Sequence, residues 1–267
     1  MPILDRFDLS GRTAIVTGAG SNLGREMAIA LANAGADIVG VGRRPGPLAE
    51  TGALVEAAGR RYLARPTDVT DSSAVNTMAA EAIEAFGSIE ILINNAGGGS
   101  AGRGKTLAEL TDADWYAGMD SNLTSAFFCS RALIEHFVEQ NYGRIINVGS
   151  GIGYRAARTM WAYPVAKGGV MQLTRALAMN YARENIRSTC IAPGLFPHEI
   201  TRGLERRTGF QTSGRVGRLE EIGPLAVFLA SEAADYMSGE TVLIDGGTIA
   251  AGVTPAGIAP LFEAPGR

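Results

Sequence analysis

The chain has 267 residues, of which 46% are hydrophobic and 19% are charged, proportions typical of a globular protein with a substantial core. Its formal net charge of −3 gives it no general attraction to nucleic acid or to an anionic membrane surface. The N-terminus lacks a signal-peptide pattern and no stretch approaches the ~20 apolar residues of a membrane span, so we expect a soluble, cytoplasmic protein.

Cysteine and histidine are both scarce. The two cysteines, Cys129 and Cys190, stand in apolar surroundings and are interpreted as buried thiols rather than as a disulfide framework. The two histidines, His136 and His198, are too few for a histidine-rich metal site, and we expect no bound metal.

The first predicted strand, Thr13–Thr17, leads directly into a glycine-rich turn, Gly18-Ala-Gly-Ser-Asn-Leu-Gly24, and then into an alanine-rich helix through Ala34. Strand, glycine turn and helix form the context of a dinucleotide-binding fingerprint, in which the N–H groups of a helix N-terminus bind a pyrophosphate. A plain tight turn between a strand and a helix would contain similar glycines, so this motif alone leaves both interpretations open.

The second predicted strand, 36–41, ends at Gly42-Arg43-Arg44. An acidic residue at about this distance from the glycine turn would bind the ribose 2′-hydroxyl of NAD. Gly42 has no carboxylate, and Arg43 and Arg44 suit a 2′-phosphate, which favours NADP over NAD. The alternative is an ordinary solvated basic turn.

Strands and helices continue to alternate along the rest of the chain. The remaining strands are predicted at 61–64, 89–93, 144–148, 186–192 and 241–244. The remaining helices are predicted up to Ala58, from a cap at Thr70 or Asp71 to Gly87, and over 111–139, 163–183 and 220–230. This alternation predicts one α/β domain over 1–267, with a doubly wound parallel sheet covered by helices on both faces. The segment that follows His198, up to Gly217, is interpreted as a substrate-covering lid, and residues 246–267 are interpreted as an irregular tail.

Tyr163 and Lys167 are four residues apart and therefore share one face of a helix, with Pro164 in its first turn. An ammonium about 4 Å from the phenol would supply roughly 4 kcal/mol, enough to lower its pKa by ~3 units toward neutrality. Ser150, just beyond a predicted strand, could then hold a substrate oxygen while Tyr163 exchanges its proton. A surface tyrosine beside a solvated lysine would show the same spacing.

Seven motifs in order resemble the short-chain dehydrogenase/reductase family over roughly residues 9–247. They are Thr17-Gly18-x-x-x-Asn22-x-Gly24, Asn94-Asn95-Ala96-Gly97, Asn122, Ser150, Tyr163-x-x-x-Lys167, Pro193-Gly194 and Asp245-Gly246-Gly247. The resemblance implies a Rossmann-like sheet of seven parallel strands and an NAD(P)-dependent oxidoreductase that interconverts a secondary alcohol and a ketone by hydride transfer.

The resemblance also implies a catalytic tetrad of Asn122, Ser150, Tyr163 and Lys167. Tyr163 would be the acid–base, Ser150 would orient the carbonyl, and Asn122 would hold a water in a proton relay to Lys167. Implied contacts to the cofactor come from Gly18, Ser21, Asn22, Leu23, Gly24, Arg43, Asp68, Val69, Asn95, Ala96, Gly97, Tyr163, Lys167, Pro193, Gly194 and Phe196. A homotetramer paired through helices near 111–139 and 162–183 is implied as well, and would explain Gly168 and Gly169.

The sequence departs from the family pattern at a few positions. Asn22 replaces a glycine of the phosphate loop, and asparagine tolerates left-handed backbone geometry. His198 replaces a threonine that contacts the nicotinamide amide, which puts that contact in doubt; a lid histidine without a role is equally compatible. Pro164 and Ala166 also differ from the commoner neighbours of the tyrosine, without touching the chemistry.

The segments 36–42 and 59–62 are similar to those of dehydrogenases that act on sugar acids such as deoxygluconate. Many of those enzymes prefer NAD, whereas Arg43 and Arg44 favour NADP. We retain NADP as the predicted cofactor and NAD as the alternative. Seven basic residues could border the pocket and favour an anionic substrate, either a sugar acid or a carrier-bound acyl group; the alternative is that they are solvated or form pairs at subunit interfaces. They are Arg103, Lys105, Arg155, Arg158, Arg202, Arg206 and Arg207. A 3-oxoacyl-carrier-protein reductase and a non-catalytic, cofactor-binding regulator are the alternative functions.

Overall fold

The computed structural model describes residues 2–99, 101–197 and 211–250 of the chain. Its strands are β1 Thr13–Thr17, β2 Asp37–Gly42, β3 Tyr62–Pro66, β4 Ile91–Asn94, β5 Gly143–Val148, β6 Ile186–Pro193 and β7 Thr241–Ile244. All seven are parallel and form one sheet in the order β3-β2-β1-β4-β5-β6-β7. The strand order reverses between β1 and β4, and open sheets of this kind bind ligands at that point, beyond the carboxyl ends of the strands.

Helices cover both faces of the sheet, so the doubly wound α/β fold predicted from the sequence is confirmed. They are α1 Asn22–Asn33, α2 Pro45–Ala57, α3 Ser72–Phe86, α4 Asp112–Met119, α5 Ser125–Glu139, α6 Ala162–Tyr181 and α7 Gly223–Ala230. Apolar side chains of α1, α2 and α7 pack against one face, and those of α3, α5 and α6 pack against the other. The side chain of Asp71 caps α3 by accepting from the N–H groups of Ser73 and Ala74.

Several strands begin or end one or two residues away from their predicted positions. The clearest case is β4, which was predicted to start at Ile89. That residue is fully buried, but its N–H donates to Nε2 of His136 at 3.0 Å instead of joining the sheet. Ile89 is apolar and buried like a strand residue, which explains the prediction. Its backbone N–H, however, binds a side chain of α5 and not a neighbouring strand.

The predicted helix over 111–139 is interrupted. A π-helical turn, Asp120–Thr124, separates α4 from α5, and it contains the buried Asn122. Such turns inside helices are frequent at functional sites. Apolar periodicity does not reveal a single turn of altered hydrogen bonding, so the sequence predicted one continuous helix.

The second glycine of the pair after Lys167 has a packing reason within the chain. A Cβ on Gly169 would lie 2.7 Å from a methyl group of Leu123, in the π-helical turn. A Cβ on Gly168 would lie 3.4 Å from the carbonyl oxygen of Gly153, which is an ordinary van der Waals distance. Gly169 therefore allows α6 to approach the π-helical turn of the same protomer, while the explanation of the pair by a subunit interface stays a prediction.

Both cysteines are free and buried, as predicted. Among the residues that the structure describes, no helix combines the length and the apolar character needed to cross a bilayer.

Candidate active site

The four predicted catalytic residues lie beyond the carboxyl ends of β4 and β5. Ser150 follows β5 and caps a short 3-10 turn, where its Oγ accepts from the N–H of Ile152 at 3.3 Å. Tyr163 lies in the first turn of α6, and its hydroxyl is near enough to the side chain of Ser150 for Ser150 to lower the pKa of the phenol. The Nζ atom of Lys167 is 5.8 Å from the centre of the Tyr163 ring. Three groups predicted from spacing alone are thus neighbours in space.

The pKa of Tyr163 shifts in the direction opposite to the expected one. Burial of the phenol raises its pKa, and the side chain of Ser150 offsets this only in part. The expected decrease caused by the ammonium of Lys167 is absent: Nζ donates to the carbonyl oxygen of Val148 at 2.8 Å and lies 5.8 Å from the centre of the phenol ring. Tyr163 is therefore a protonated phenol near neutral pH, suited to donate a proton to a substrate oxygen.

Lys167 is almost fully buried, with 4% of its surface exposed. Burial lowers its pKa to about 8, because removing the ammonium from water disfavours its charged form, while Cys190 acts weakly in the opposite direction. A buried lysine whose pKa approaches neutrality is characteristic of functional sites, although structural lysines also show it.

Asn122 joins the π-helical turn to the loop after β4. Its Oδ1 accepts from the N–H of Gly98 at 2.8 Å, and its Nδ2 donates to the carbonyl of Gly118 at 3.0 Å. Gly97 lies directly against Oδ1. The side-chain amide is thereby occupied by backbone partners and holds the loop that borders Ser150 and Tyr163.

The glycine turn forms a cradle that larger residues would fill. Gly18 has a φ of +71°, and a Cβ there would lie 2.6 Å from Nδ2 of Asn95. A Cβ on Gly24 would overlap the carbonyl oxygen of Gly18. Asn22 has a φ of +49°, the left-handed geometry that asparagine was expected to tolerate. Ser21 precedes α1 without capping it, so the first N–H groups of the helix have no partner from that side chain.

Thr17 organises the loop after β4, a role that the sequence did not reveal. Its Oγ1 accepts from the N–H groups of Asn95 and Ala96, each at 2.9 Å. Its carbonyl accepts from the side-chain amide of Asn95, also at 2.9 Å. The glycine turn and the loop after β4 are therefore locked together across the strand-order reversal.

The predicted adenosine-binding residues lie beyond β2 and β3. Arg43 is exposed and follows β2, while Val69 is buried. Hydrogen bonds from Thr70 lower the pKa of the Asp68 carboxyl, and Arg43 contributes a smaller decrease, so the two charged groups are close enough to interact. This edge thus combines a cation with a neighbouring carboxylate.

Beyond β6, Gly194 donates its N–H to the carbonyl of Ile244 at 2.9 Å. The ring of Phe196 is buried and packs beside Gly217. Pro193 ends β6. His198, Arg202, Arg206 and Arg207, together with most of the predicted lid, lie outside the described residues.

These features fit a nicotinamide dinucleotide. The cradle would bring a pyrophosphate to backbone N–H groups at the start of α1, beside the point where the strand order reverses. The sequence model of the family described as short chain dehydrogenase matches residues 12–208. The chain belongs to the short-chain dehydrogenase family.

Proteins with similar sequences match this chain over nearly its whole length. The 2-dehydro-3-deoxy-D-gluconate 5-dehydrogenase of Escherichia coli strain K12 is 38% identical, covering 93% of this chain and 99% of the relative. The 3-oxoacyl-[acyl-carrier-protein] reductase of Haemophilus influenzae is 32% identical, covering 90% and 98%. A crystal structure of a gluconate 5-dehydrogenase from Burkholderia cenocepacia J2315, in complex with NADP and tartrate, is 33% identical with a TM-score of 0.86, covering 92% and 98%.

The basic residues near the pocket of this short-chain dehydrogenase differ in their availability. Lys105 forms an ion pair with Asp114 at 2.6 Å. Arg155 donates to the carbonyls of Thr248 and Ile249. By contrast, two exposed side chains form no ion pair or hydrogen bond with any described residue: Arg103 and Arg158.

Arg103 and Arg158 lie on two loops that are joined to each other. The N–H of Gly104 donates to the carbonyl of Thr159 at 3.0 Å, so the residues beside these two arginines are in contact. The second loop runs directly from Ser150 toward Tyr163. Both cations are therefore available to an anion that reaches the mouth of the pocket.

Proposed function

We propose that this short-chain dehydrogenase is an NADP-dependent enzyme that interconverts a secondary alcohol and a ketone on a sugar acid. Family membership makes it an NAD(P)-dependent oxidoreductase that acts on hydroxyl groups. The observation that carries the assignment of chemistry is the cluster of Tyr163, Ser150 and the buried Lys167, in which Nζ of Lys167 lies 5.8 Å from the centre of the Tyr163 ring and the side chain of Ser150 influences the pKa of the phenol. Bound NADP would supply or accept the hydride.

Tyr163 would donate its phenolic proton to the carbonyl oxygen during ketone reduction and would accept it back during alcohol oxidation. Ser150 lies beside this phenol, and its hydroxyl would orient the same oxygen. Lys167 would attract the negative charge that develops on the phenol as its proton leaves. Asn122 would hold the loop at Gly98, and with it one wall of the pocket, through its hydrogen bonds to backbone groups.

Besides Tyr163 and Lys167, the residues that would contact the cofactor are those of the glycine cradle, the loop after β4, the turn after β6, and Arg43, Asp68 and Val69. Gly42 offers no carboxylate to a ribose 2′-hydroxyl, whereas Arg43 is exposed and close to the adenosine edge. A related gluconate 5-dehydrogenase is described in complex with NADP. These observations support NADP, while the nearby Asp68 weakens the preference by attracting Arg43.

A sugar acid is favoured as substrate because Arg103 and Arg158 have no partner among the described residues and lie on joined loops, one of which runs from Ser150 to Tyr163, where they would bind a carboxylate. The Escherichia coli relative is named for such a substrate. The relative that acts on acyl-carrier protein makes a carrier-bound acyl group the competing substrate.

Arg103→Ala and Arg158→Ala are expected to raise KM for the sugar acid about tenfold each, since a charge-assisted hydrogen bond contributes about 1.5 kcal/mol or more. Values of kcat should change little. Steady-state assays would compare 2-dehydro-3-deoxy-D-gluconate and D-gluconate with galactitol, an uncharged polyol whose KM should not change. Arg6→Ala, an exposed arginine in the N-terminal turn, is the matched control. Turnover of acyl-carrier substrates but of no sugar acid would contradict the proposed substrate.

We also propose that residues 1–267 form one domain, that the protein acts in the cytoplasm, where its two free thiols stay reduced, and that it assembles as a homotetramer through α4, α5 and α6. Large apolar side chains are exposed on the last two of these helices. They are Phe127 and Val138 on α5, and Val165 and Met179 on α6. Such side chains on adjacent helices are typical of an interface between subunits.

Met179 is the most exposed of the four, at 87%, so Met179→Glu is expected to shift the assembly toward smaller species. Light scattering at micromolar concentration would measure the molar mass. Leu54→Glu, at an apolar residue on α2 that is 46% exposed, should leave the mass unchanged. A wild-type protein that is monomeric at this concentration would contradict the tetramer.

A further inference from the structure

Arg25 connects the glycine turn to α2 through its guanidinium group. Its Nη2 donates to the carbonyl of Gly20 at 2.8 Å, and its Nε donates to Oγ1 of Thr51 at 3.1 Å. The same Nη2 also pairs with the carboxylate of Glu50 at 2.7 Å. A longer hydrogen bond joins Nη2 to the carbonyl of Pro47 at 3.3 Å, so one side chain from α1 bonds the phosphate-binding turn and three residues of α2.

Thr51 makes a second connection between the same two segments. It is fully buried, and its Oγ1 lies 2.9 Å from the carbonyl oxygen of Ala19 and 3.1 Å from that of Pro47, so we assign its single proton to the shorter contact, with Ala19. The backbone adds close packing, because a Cβ on Gly20 would lie 3.1 Å from Cβ of Pro47 in the first turn of α2. Thr51 thus places a buried hydroxyl against a carbonyl of the glycine turn, although it is not among the residues assigned above to cofactor binding.

The connection from β2 to α2 is therefore held at both ends. At the β2 end, the N–H of Ala19 donates to the carbonyl of Val41 at 3.2 Å. At the α2 end, Thr51 and Arg25 bind the carbonyls of Ala19 and Gly20. Arg43 lies in this connection, so its distance from the pyrophosphate site depends on both ends.

We propose that Arg25 and Thr51 are positioning residues that determine how strongly the enzyme prefers NADP to NAD. They hold the start of α2 against the glycine turn, so that Arg43 meets the 2′-phosphate of a dinucleotide whose pyrophosphate lies on that turn. This inference rests on the NADP preference proposed above. Neither residue needs to contact the cofactor.

Arg25 has an additional electrostatic effect through Glu50. The guanidinium neutralises this carboxylate, which lies two turns beyond Arg43 and Arg44 on the helix that they precede. Without Arg25, an uncompensated negative charge would remain near the site of the 2′-phosphate and would repel it. NADH lacks this phosphate and would be affected less.

The test is a fluorescence titration of NADPH and NADH against the full-length protein and its variants. Thr51→Val keeps the shape of the residue and removes only its hydroxyl, and it should weaken NADPH at least fivefold while changing NADH less than twofold. Thr51→Ser should restore wild-type affinities. Arg25→Ala should weaken NADPH at least tenfold, and less in the Glu50→Gln background, which separates repulsion from positioning.

Thr77→Val is the matched control. The Oγ1 atoms of Thr51 and Thr77 each lie 3.1 Å from the carbonyl oxygen four residues earlier in their helix, but Thr77 is exposed on α3 and has no bond to the glycine turn. The control should leave both affinities unchanged. Arg43→Ala should weaken NADPH selectively, and Thr51→Val should add no further loss of selectivity in that background. Unfolding temperatures of every variant report damage to the fold separately.

The outcomes separate the two claims. A wild type that binds NADH more tightly than NADPH contradicts the proposed cofactor before any variant is made, and the positioning role falls with it. A wild type that prefers NADPH, with variants of Thr51 and Arg25 that weaken both cofactors equally or neither, overturns the positioning role alone. Selective loss of NADPH that depends on Arg43 supports it.

Discussion

Tyr163→Phe is expected to lower kcat about a thousandfold, because the substitution removes the hydroxyl that exchanges a proton with the substrate oxygen. The phenyl ring keeps the packing of this partly buried side chain, so the affinity for NADPH should stay within about threefold of the wild type. Steady-state kinetics on the preferred sugar acid, together with a cofactor titration, would measure both quantities.

Tyr154→Phe is the matched control. Tyr154 lies in the 3-10 turn after Ser150, but it is 43% exposed and its hydroxyl is 3.5 Å from the carbonyl of Thr241. The control should keep near-wild-type turnover. Near-wild-type turnover by the Tyr163 variant itself would show that another group transfers the proton.

The raised pKa of Tyr163 also predicts a direction for the pH dependence. Reduction of the ketone needs the protonated phenol and should lose rate as the pH rises through the pKa of the active site. Oxidation of the alcohol needs the phenolate and should gain rate over the same range. Opposite slopes in the two directions are therefore expected.

Lys167→Met is expected to lower turnover by a factor on the order of a thousand, because it removes the charge that favours the phenolate. The same substitution should stabilise the fold at pH 7. Burial lowers the pKa of Lys167 from 10.5 to about 8, so keeping this ammonium charged below pH 8 costs the folded state up to about 3 kcal/mol. Methionine fills a similar volume without that cost, although it leaves the carbonyl of Val148 without its donor.

The direction of this pH dependence follows from the number of protons bound by the folded and the unfolded states. Between about pH 8 and 10.5 the unfolded chain keeps the lysine proton while the folded protein has lost it, so the free energy of unfolding contributed by Lys167 rises with pH. The stability advantage of Lys167→Met should therefore be largest below pH 8 and shrink toward pH 10.5. Chemical denaturation at pH 7 and pH 10 would measure this.

Lys105→Met provides the control, since Lys105 is the only other lysine of the chain and its ion pair with Asp114 is partly exposed. It should show no gain in stability at pH 7. A constant difference between Lys167→Met and wild type across this pH range would mean that Lys167 is not destabilised by burial. Retained turnover by Lys167→Met would show that Lys167 is not a catalytic residue.

Most of the fold was predictable because its signals are local. The run Thr13–Thr17, the glycines that follow it and the alternation of strands with helices are patterns within short windows, and the parallel sheet follows from them. The spacing of Tyr163 and Lys167 likewise placed both on one face of a helix. The π-helical turn at Asn122 was missed because one altered turn leaves apolar periodicity almost unchanged.

The sequence by itself determined the doubly wound sheet, the glycine cradle and the set of chemically competent side chains near it. The tertiary structure alone decided how those side chains are paired and buried: Lys167 on the carbonyl of Val148, Arg155 on the segment after β7, and Arg25 between the glycine turn and α2. The physical reason is that desolvation and hydrogen bonding depend on atoms brought together from distant parts of the chain. For that reason the direction of the Tyr163 pKa shift was predicted wrongly, although its position was predicted correctly.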